Sequence, residues 1–177
     1  DHLEQELRCQ ILDALHALRP HLDAVVLIGA QAVYLRTVGR LPTYQPFTTD
    51  ADIVLDPARL LEIPPLGSSM IDAGFVLTGE PGIWEARFHR AGFADEVVVP
   101  IDLIVPEQVA PSAGRRSARL PGNHGKNTAR KSAGVEGALV DYSPIEITSF
   151  ESSDPRTVMV NVAGEAAAGS ATGLLML

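Results

Sequence analysis

The sequence predicts a single α+β domain, in which a mixed, twisted sheet is flanked by helices. The β-branched run 25–28 leads through Gly29-Ala30 into a helical pattern, which is typical of a strand, a tight turn and a helix. Two later strand-like segments, 48–55 and 97–105, each carry aspartate. The chain has 177 residues, enough for one domain with a substantial core. These three segments and the elements that connect them span about residues 20–105, which we take as the core of the domain.

The N-terminal part of the chain alternates helix and strand. Apolar residues recur at helical spacing over residues 2–18, and Pro20 ends that pattern. A strand at 25–28 and a helix at about 30–37 follow. Asp56-Pro57 predicts the start of a short helix, with Asp56 as its N-cap rather than as a metal ligand.

The middle of the chain predicts a short helix and then an antiparallel hairpin. The helix falls within residues 64–74, and the candidate strands are 75–78, 83–90 and 96–105. Residues 84–90 alternate, so this strand should pair with 96–105 across an Ala91-Gly92 turn. His89 is either a general base that borders the site or a surface strand histidine.

The last third of the chain begins with a long segment that is rich in Gly, Ser, Ala and Arg. We predict a loop over residues 111–134, which can act as a flap over a substrate. Strands are predicted after it at 135–140, 145–150 and 157–162. A helical pattern then starts at Ala163 and continues to Leu177, where it stops on an apolar run.

The charge of the chain is acidic overall but basic in one segment. A net charge of −8 argues against a protein that coats nucleic acid non-specifically. No acidic residue lies between Glu107 and Glu136, and we interpret this stretch as a local patch for a polyanionic substrate. Its cationic residues are Arg115, Arg116, Arg119, Lys126, Arg130 and Lys131.

Cysteine usage and hydropathy predict a cytoplasmic protein that does not contact a membrane. The single cysteine, Cys9, excludes an internal disulfide and fits a reducing compartment. The sequence shows no opening signal peptide and no apolar stretch of the roughly 20 residues that a membrane span needs.

Three aspartates form the candidate site. Asp50 and Asp52 are one residue apart at the start of a strand, so their side chains point to the same side, roughly 6.5–7 Å apart along the strand. Asp102 is a lone carboxylate within an apolar strand, where an uncompensated charge is costly. Carboxylates beside a glycine turn suit one or two Mg²⁺ ions that carry the phosphates of a nucleotide.

These motifs resemble the DNA polymerase β-type nucleotidyltransferase superfamily, and within it the AbiEii/MenT-like toxins of bacterial toxin–antitoxin systems. The resemblance rests on the segments 27–32, 49–55 and 101–104, which correspond to an apolar strand with a Gly-[Gly/Ser] turn, Asp-x-[Asp/Glu], and a third acid on an adjacent strand. One departure is Ala30, which stands where the family usually has Gly or Ser. Its methyl group cannot contact a phosphate as a hydroxyl can, although the backbone N–H groups remain.

The resemblance implies a nucleotidyltransferase-like fold and a Mg²⁺- or Mn²⁺-dependent transfer of NMP from an NTP to a hydroxyl acceptor, such as the end of a tRNA or another RNA. Asp50, Asp52 and Asp102 would be the catalytic and metal-binding residues. A cognate antitoxin is an implied partner. The family continues into a helical region that supplies basic residues, and we expect that region to be missing here.

Two further groups of residues complete the predicted site. The nucleotide is expected to contact Gly29, Ala30, Thr49 and Arg40. Arg40 lies in the loop between the glycine turn and the aspartate pair, where it can also be a solvated loop arginine. The RNA is expected to contact Arg115, Arg116, Lys126, Arg130 and Lys131.

Two alternatives stay open at this stage. The acceptor hydroxyl can belong to a protein or a small molecule instead of RNA. The chain can also be a non-catalytic nucleotidyltransferase-like module that binds a partner or a nucleotide, which Ala30 favours.

Overall fold

A mixed β-sheet forms the centre of the computed structural model, which describes residues 2–37, 50–89, 92, 94–110, 116–148, 157–165 and 167. Its helices within those ranges are α1 (His2–Ala17), α2 (Gly29–Thr37) and α3 (Leu66–Asp72). The strands are β1 (Val25–Ile28), β2 (Ala51–Leu55), β3 (Val76–Leu77), β4 (Ile83–His89), β5 (Glu96–Pro106), β6 (Ser117–Ala118), β7 (Ala129–Ser132), β8 (Tyr142–Thr148) and β9 (Thr157–Ala163).

The strands are ordered β3-β4-β5-β2-β1-β9-β8 across the sheet. The pair β2–β5 is parallel, whereas β1–β2 and β4–β5 are antiparallel. The strand β7 pairs in parallel with the last residues of β5, beyond the part of β5 that β4 covers. The prediction of an α+β mixed sheet with flanking helices is therefore confirmed.

The central strands are buried on both faces of the sheet. All four residues of β1 are buried, which explains why the sequence shows a continuous apolar run there rather than an alternation. Leu12 and Leu15 of α1 and Met70 of α3 are fully buried in the same apolar cluster. Each such side chain contributes about 1.5–3 kcal/mol to the free energy of unfolding through removal from water.

Several predicted elements are confirmed with small changes at their ends. The helix 2–18 becomes α1, and the hairpin of 83–90 with 96–105 becomes β4 and β5. The strand 145–150 begins earlier than predicted, at Tyr142, and β9 matches the strand 157–162. The helix predicted from Ala163 starts later, because Ala163 is the last residue of β9; residues 165 and 167 are helical, and the remainder lies outside the described residues.

Two predicted elements are wrong. Residues 135–140 do not form a strand, because Glu136–Leu139 is a 3₁₀ helix; Ala138 within it and Val135 just before it are buried. Asp56-Pro57 starts a turn instead of a helix. The Asp56 carboxylate nevertheless has a local capping role, since it accepts a hydrogen bond from the Ala58 N–H at 3.0 Å.

The segment 111–134 is not one continuous loop, so that prediction is also wrong. It contains β6 and β7, which pair with each other, and β7 in turn extends the central sheet beside β5. The segment shows little apolar periodicity because these strands are short and only some of their side chains are buried.

Candidate active site

Two of the three predicted aspartates lie side by side on neighbouring strands. In the parallel pairing of β2 with β5, Asp52 is the register partner of Asp102. Register partners point to the same face of a sheet, so the two carboxylates share one face. Asp50 immediately precedes β2 and is exposed, and its charge acts on both of the others. The structure therefore brings together the three carboxylates that the sequence singled out.

The glycine turn lies directly against Asp52. Ile28, the last residue of β1, is the register partner of Asp52, and Gly29 follows it as the first residue of α2. Gly29 has a φ of +74°, and a Cβ added there would lie 2.6 Å from Asp52 Oδ2. Only glycine meets both the backbone angle and the close approach of the carboxylate.

Gln31 joins the first turn of α2 to the segment that carries Asp50. Its side chain is buried, and its Nε2 donates a hydrogen bond to the Asp50 backbone oxygen at 3.3 Å. The sequence pattern did not single out Gln31. The signal that could have identified Gln31 is its place as a single polar residue among Gly29, Ala30 and Ala32, since a buried amide needs a hydrogen-bond partner.

Arg130 completes the cluster with a positive charge. Its Nε lies 2.9 Å and 3.0 Å from Asp102 Oδ1 and Oδ2, and its Nη2 lies 2.7 Å from Oδ2. This is the bidentate geometry in which a guanidinium binds a carboxylate most strongly. The pair is well shielded, because the Arg130 and Asp102 side chains are 24% and 16% exposed.

The backbone around β7 places Arg130 at this position. Arg130 is the register partner of Ile104, two residues after Asp102 on the same face of β5. Gly82, the residue before β4, lies against the backbone of both β5 and β7. A Cβ at this position would lie 2.6 Å from the Arg130 nitrogen and 2.7 Å from the Leu103 oxygen, so only glycine allows this approach. The Trp84 Nε1 donates to the Thr128 oxygen at 2.9 Å, which fixes the start of β7.

The electrostatics of the cluster favour added positive charge. The pKa of Asp52 is raised to about 7, chiefly by burial and then by the charges of Asp102 and Asp50, while the charge of Arg130 opposes the rise. Burial also raises the pKa of Asp102, against the opposing hydrogen bonds and charge of Arg130. Near neutral pH the site therefore holds carboxylates that repel one another, and a cation beside Asp52 would relieve that repulsion.

The donor set fits a hard divalent cation only in part. Among the residues that the structure describes, no group of three or more His, Cys, Asp or Glu is arranged to hold a metal ion. Asp50 and Asp52 offer carboxylate oxygens of the kind that Mg²⁺ and Mn²⁺ prefer. Both oxygens of Asp102 are already engaged by Arg130.

The predicted nucleotide-binding residues divide into two groups. Gly29 and Ala30 form the first turn of α2, next to Asp52. Thr49 and Arg40 lie outside the described residues, as does Arg115 of the predicted RNA-contacting group.

The other predicted RNA-contacting residues occupy different environments. Arg116 and Lys126 are exposed, and Arg116 is 3.8 Å from the Glu80 carboxylate. Lys131 is partly buried on β7, and Arg130 lies in the acidic cluster instead of on the outer surface. A cavity of about 390 Å³ lies along the same segment, lined among others by Arg119, His124, Lys126 and Asn127.

His89 does not take part in the site. In the β4–β5 register it lies opposite Glu96, on the same face as Asp102 but six residues away. Six residues of strand correspond to about 20 Å, so the hypothesis that His89 is a general base is wrong.

Comparisons of this chain with family models, with curated proteins and with solved structures gave no match. Within the described residues, no helix has the length and apolar character required to span a membrane.

Proposed function

We propose that this chain is a nucleotidyltransferase that transfers NMP from an NTP to a hydroxyl group at an RNA end. The observation that carries the proposal is the register of Asp52 with Asp102 on adjacent parallel strands, with Gly29 seated against the Asp52 carboxylate. This arrangement agrees with the motif on which the sequence resemblance rests.

Asp50 and Asp52 are the residues that would hold Mg²⁺ or Mn²⁺. Their carboxylates are hard oxygen donors, and Asp52 is held in a shielded position beside the negative charges of Asp50 and Asp102, where a bound cation would favour its ionised form. When bound, such an ion would neutralise part of the triphosphate charge and lower the pKa of the acceptor hydroxyl.

The remaining groups position the reactants. The backbone at Gly29 and Ala30 lets phosphate oxygens approach the first N–H groups of α2. The acceptor oxygen bonds to the α-phosphorus, the bond from that phosphorus to the bridging oxygen breaks, and pyrophosphate leaves. Asp102 takes the proton of the acceptor hydroxyl or orients that hydroxyl for attack. Most of the rate enhancement then comes from orientation and charge stabilisation.

RNA is the proposed acceptor because the segment that comes after Asp102 in the sequence is rich in cationic side chains. Arg116 and Lys126 are exposed and can contact phosphates in water, and Arg115 and Lys131 belong to the same basic segment. We also propose that an antitoxin binds the face that carries these cations and that the protein acts in the cytoplasm.

A labelling experiment tests the proposal. The purified chain is incubated with Mg²⁺, total RNA and each α-labelled NTP in turn, and the RNA is resolved on a denaturing gel. We expect one NTP to label RNA in the wild-type reaction, and we expect Asp52→Asn to lower the signal by at least about 100-fold, since it removes a metal ligand. Asp72→Asn changes an exposed acid at the end of α3 and should leave labelling unchanged. Label that appears in protein or in small molecules instead would assign a different acceptor.

The second candidate is a binding module that does not catalyse transfer. The ion pair of Arg130 with Asp102 favours this candidate, because Arg130 engages both oxygens of a predicted catalytic carboxylate. An enzyme and a nucleotide-binding module both predict stabilisation by NTP, about 2.7 kcal/mol at a hundredfold excess over Kd. Stabilisation of the wild-type chain without transfer to any acceptor in a cell extract would support the module.

A further inference from the structure

Arg130 forms an ion pair that uses both oxygens of the Asp102 carboxylate. Its two engaged nitrogens make three contacts of 2.7–3.0 Å with those oxygens. A guanidinium stays protonated in proteins, so this positive charge is permanent. A metal ion that bound Asp102 would have to share oxygens that Arg130 already engages and approach a fixed cation.

The strand pairing holds Arg130 in place. The β7 backbone is hydrogen-bonded to β5 on one side, and the Lys131 N–H donates to the Arg116 oxygen at 2.7 Å on the other. Before the strand, the Asn127 oxygen accepts from the Gly82 N–H at 2.9 Å. Withdrawal of Arg130 from Asp102 by a movement of the backbone would break this pairing.

We propose that Arg130 takes the place of a second metal ion at Asp102, so that the site binds a single divalent cation through Asp50 and Asp52. Two-metal sites use the second ion to stabilise charge on the entering and leaving oxygens. Here the Arg130 guanidinium supplies a permanent positive charge beside Asp102 and holds that carboxylate in a fixed orientation. Arg130 is thus a positioning residue, and this inference rests on the proposed function.

Metal stoichiometry tests the inference directly. Mn²⁺ alone is titrated into the apo protein, and the bound ions are counted from the loss of the electron paramagnetic resonance signal of free Mn²⁺. The wild-type chain should bind one ion. Arg130→Gln removes the charge and frees the Asp102 oxygens, so it should bind two. Arg130→Lys keeps a cation at this position and should return the count to one.

Two further variants separate the role of each acid. Asp102→Asn should still bind one ion, because Asp102 is not a ligand in this account, whereas Asp52→Asn should bind none. Arg87→Gln is the matched control, since Arg87 is an exposed arginine that pairs with Glu85 and Glu96 instead of with the cluster, and it should bind one ion as the wild type does. Circular dichroism melts establish that each variant is folded.

Three results would overturn the inference. The first is two ions in the wild-type chain, and the second is the same count in the wild type and in a folded Arg130→Gln variant. The third is no bound ion in the wild type, and this result combined with absent RNA labelling would also refute the proposed function. Labelling that persists while the wild type binds two ions would refute the role of Arg130 alone.

Discussion

At the residue scale, the candidate site combines groups that lower the stability of the fold. Asp52 is a carboxylate in a shielded position next to two other acids, and its pKa is raised to about 7 from an ordinary value of 3.8. Between about pH 3.8 and pH 7, Asp52 is therefore protonated in the folded state but ionised in the unfolded state. Ionised Asp52 lowers the free energy of unfolding above about pH 7, and this cost disappears as the pH falls toward 3.8.

This cost predicts that removal of the Asp52 charge stabilises the protein. Asp52→Asn should raise the free energy of unfolding by about 1–3 kcal/mol at pH 8, and by much less at pH 4.5, where wild-type Asp52 is largely protonated in the folded state. Urea denaturation at both pH values measures the difference. Asp72→Asn should show no comparable dependence on pH. A stability gain for Asp52→Asn that is equal at both pH values would contradict the raised pKa.

Gly29 provides a second prediction at this scale, because a side chain there meets both backbone strain and a steric clash. Gly29→Ala should lower the free energy of unfolding by about 2–4 kcal/mol, from a positive φ and from an added Cβ 2.6 Å from Asp52 Oδ2. Gly74→Ala is the matched control, since Gly74 has a φ of +92° but no atom within 4 Å of the added Cβ. Its cost should be about 1–2 kcal/mol. Equal costs in thermal melts would show that Asp52 does not pack against Gly29.

At the scale of elements, the structure depends on how the segment before β7 is anchored. His124 is buried in this segment, and its Nδ1 accepts a hydrogen bond from the Leu66 N–H at 3.1 Å, where α3 begins. Its backbone oxygen accepts from the Gly67 N–H and the Thr128 hydroxyl. The ring also makes an edge contact with His21, at 5.6 Å between centroids. These contacts tie α3 to the segment that leads to Arg130.

The anchoring by His124 predicts sensitivity to acid. Burial lowers the pKa of His124 from 6.5, and the charge of His21 lowers it further. The unfolded state then binds a proton more readily, so stability is complete above about pH 6.5 and falls as the pH drops below it. His124→Asn keeps an acceptor near the Leu66 N–H but does not titrate.

Denaturation at pH 7.5 and pH 5.5 measures this effect. The His124→Asn variant should lose less stability than the wild type between the two pH values, whereas His89→Asn, a change at an exposed strand residue, should follow the wild type. Equal losses in the wild type and His124→Asn would show that protonation of His124 is not coupled to unfolding.

The elements also show which features a sequence can predict. Local periodicity was sufficient for β1, β4, β5 and β9, because each has a clear apolar run or alternation. It failed at residues 135–140, where Val135, Ala138 and Leu139 contact the core with the spacing of a 3₁₀ helix. The four-residue strand β7 has no such signal, because its position is set by pairing with a distant strand.

At the scale of the whole molecule, the sheet order determines the site. Asp52 and Asp102 are separated by fifty positions in the chain, and they become neighbours only because β2 lies between β1 and β5. The two acidic motifs predicted that these carboxylates lie close together. They could not predict the Arg130 contact, because Arg130 falls in a basic segment whose local composition indicates only a cationic surface. The pairing of β7 with β5 turns one of those cations inward to Asp102.

The charge distribution of the whole chain is consistent with this arrangement. A net charge of −8 would repel RNA in general, while the exposed Arg116 and Lys126 lie on the segment that leads to the site. If RNA is the acceptor, as proposed, its apparent affinity should fall only modestly with added salt, because contact with few phosphates releases few counterions.

The fate of each phosphate of the NTP tests the central claim most directly. Parallel reactions use the same NTP labelled at either the α- or the γ-phosphate, with RNA and Mg²⁺. Nucleotidyl transfer predicts that the α-label enters RNA, that the γ-label appears as pyrophosphate in equal amount, and that Asp52→Asn abolishes both. A γ-label on the acceptor, or α-labelling that persists in Asp52→Asn, would contradict the assignment of these carboxylates to nucleotidyl transfer.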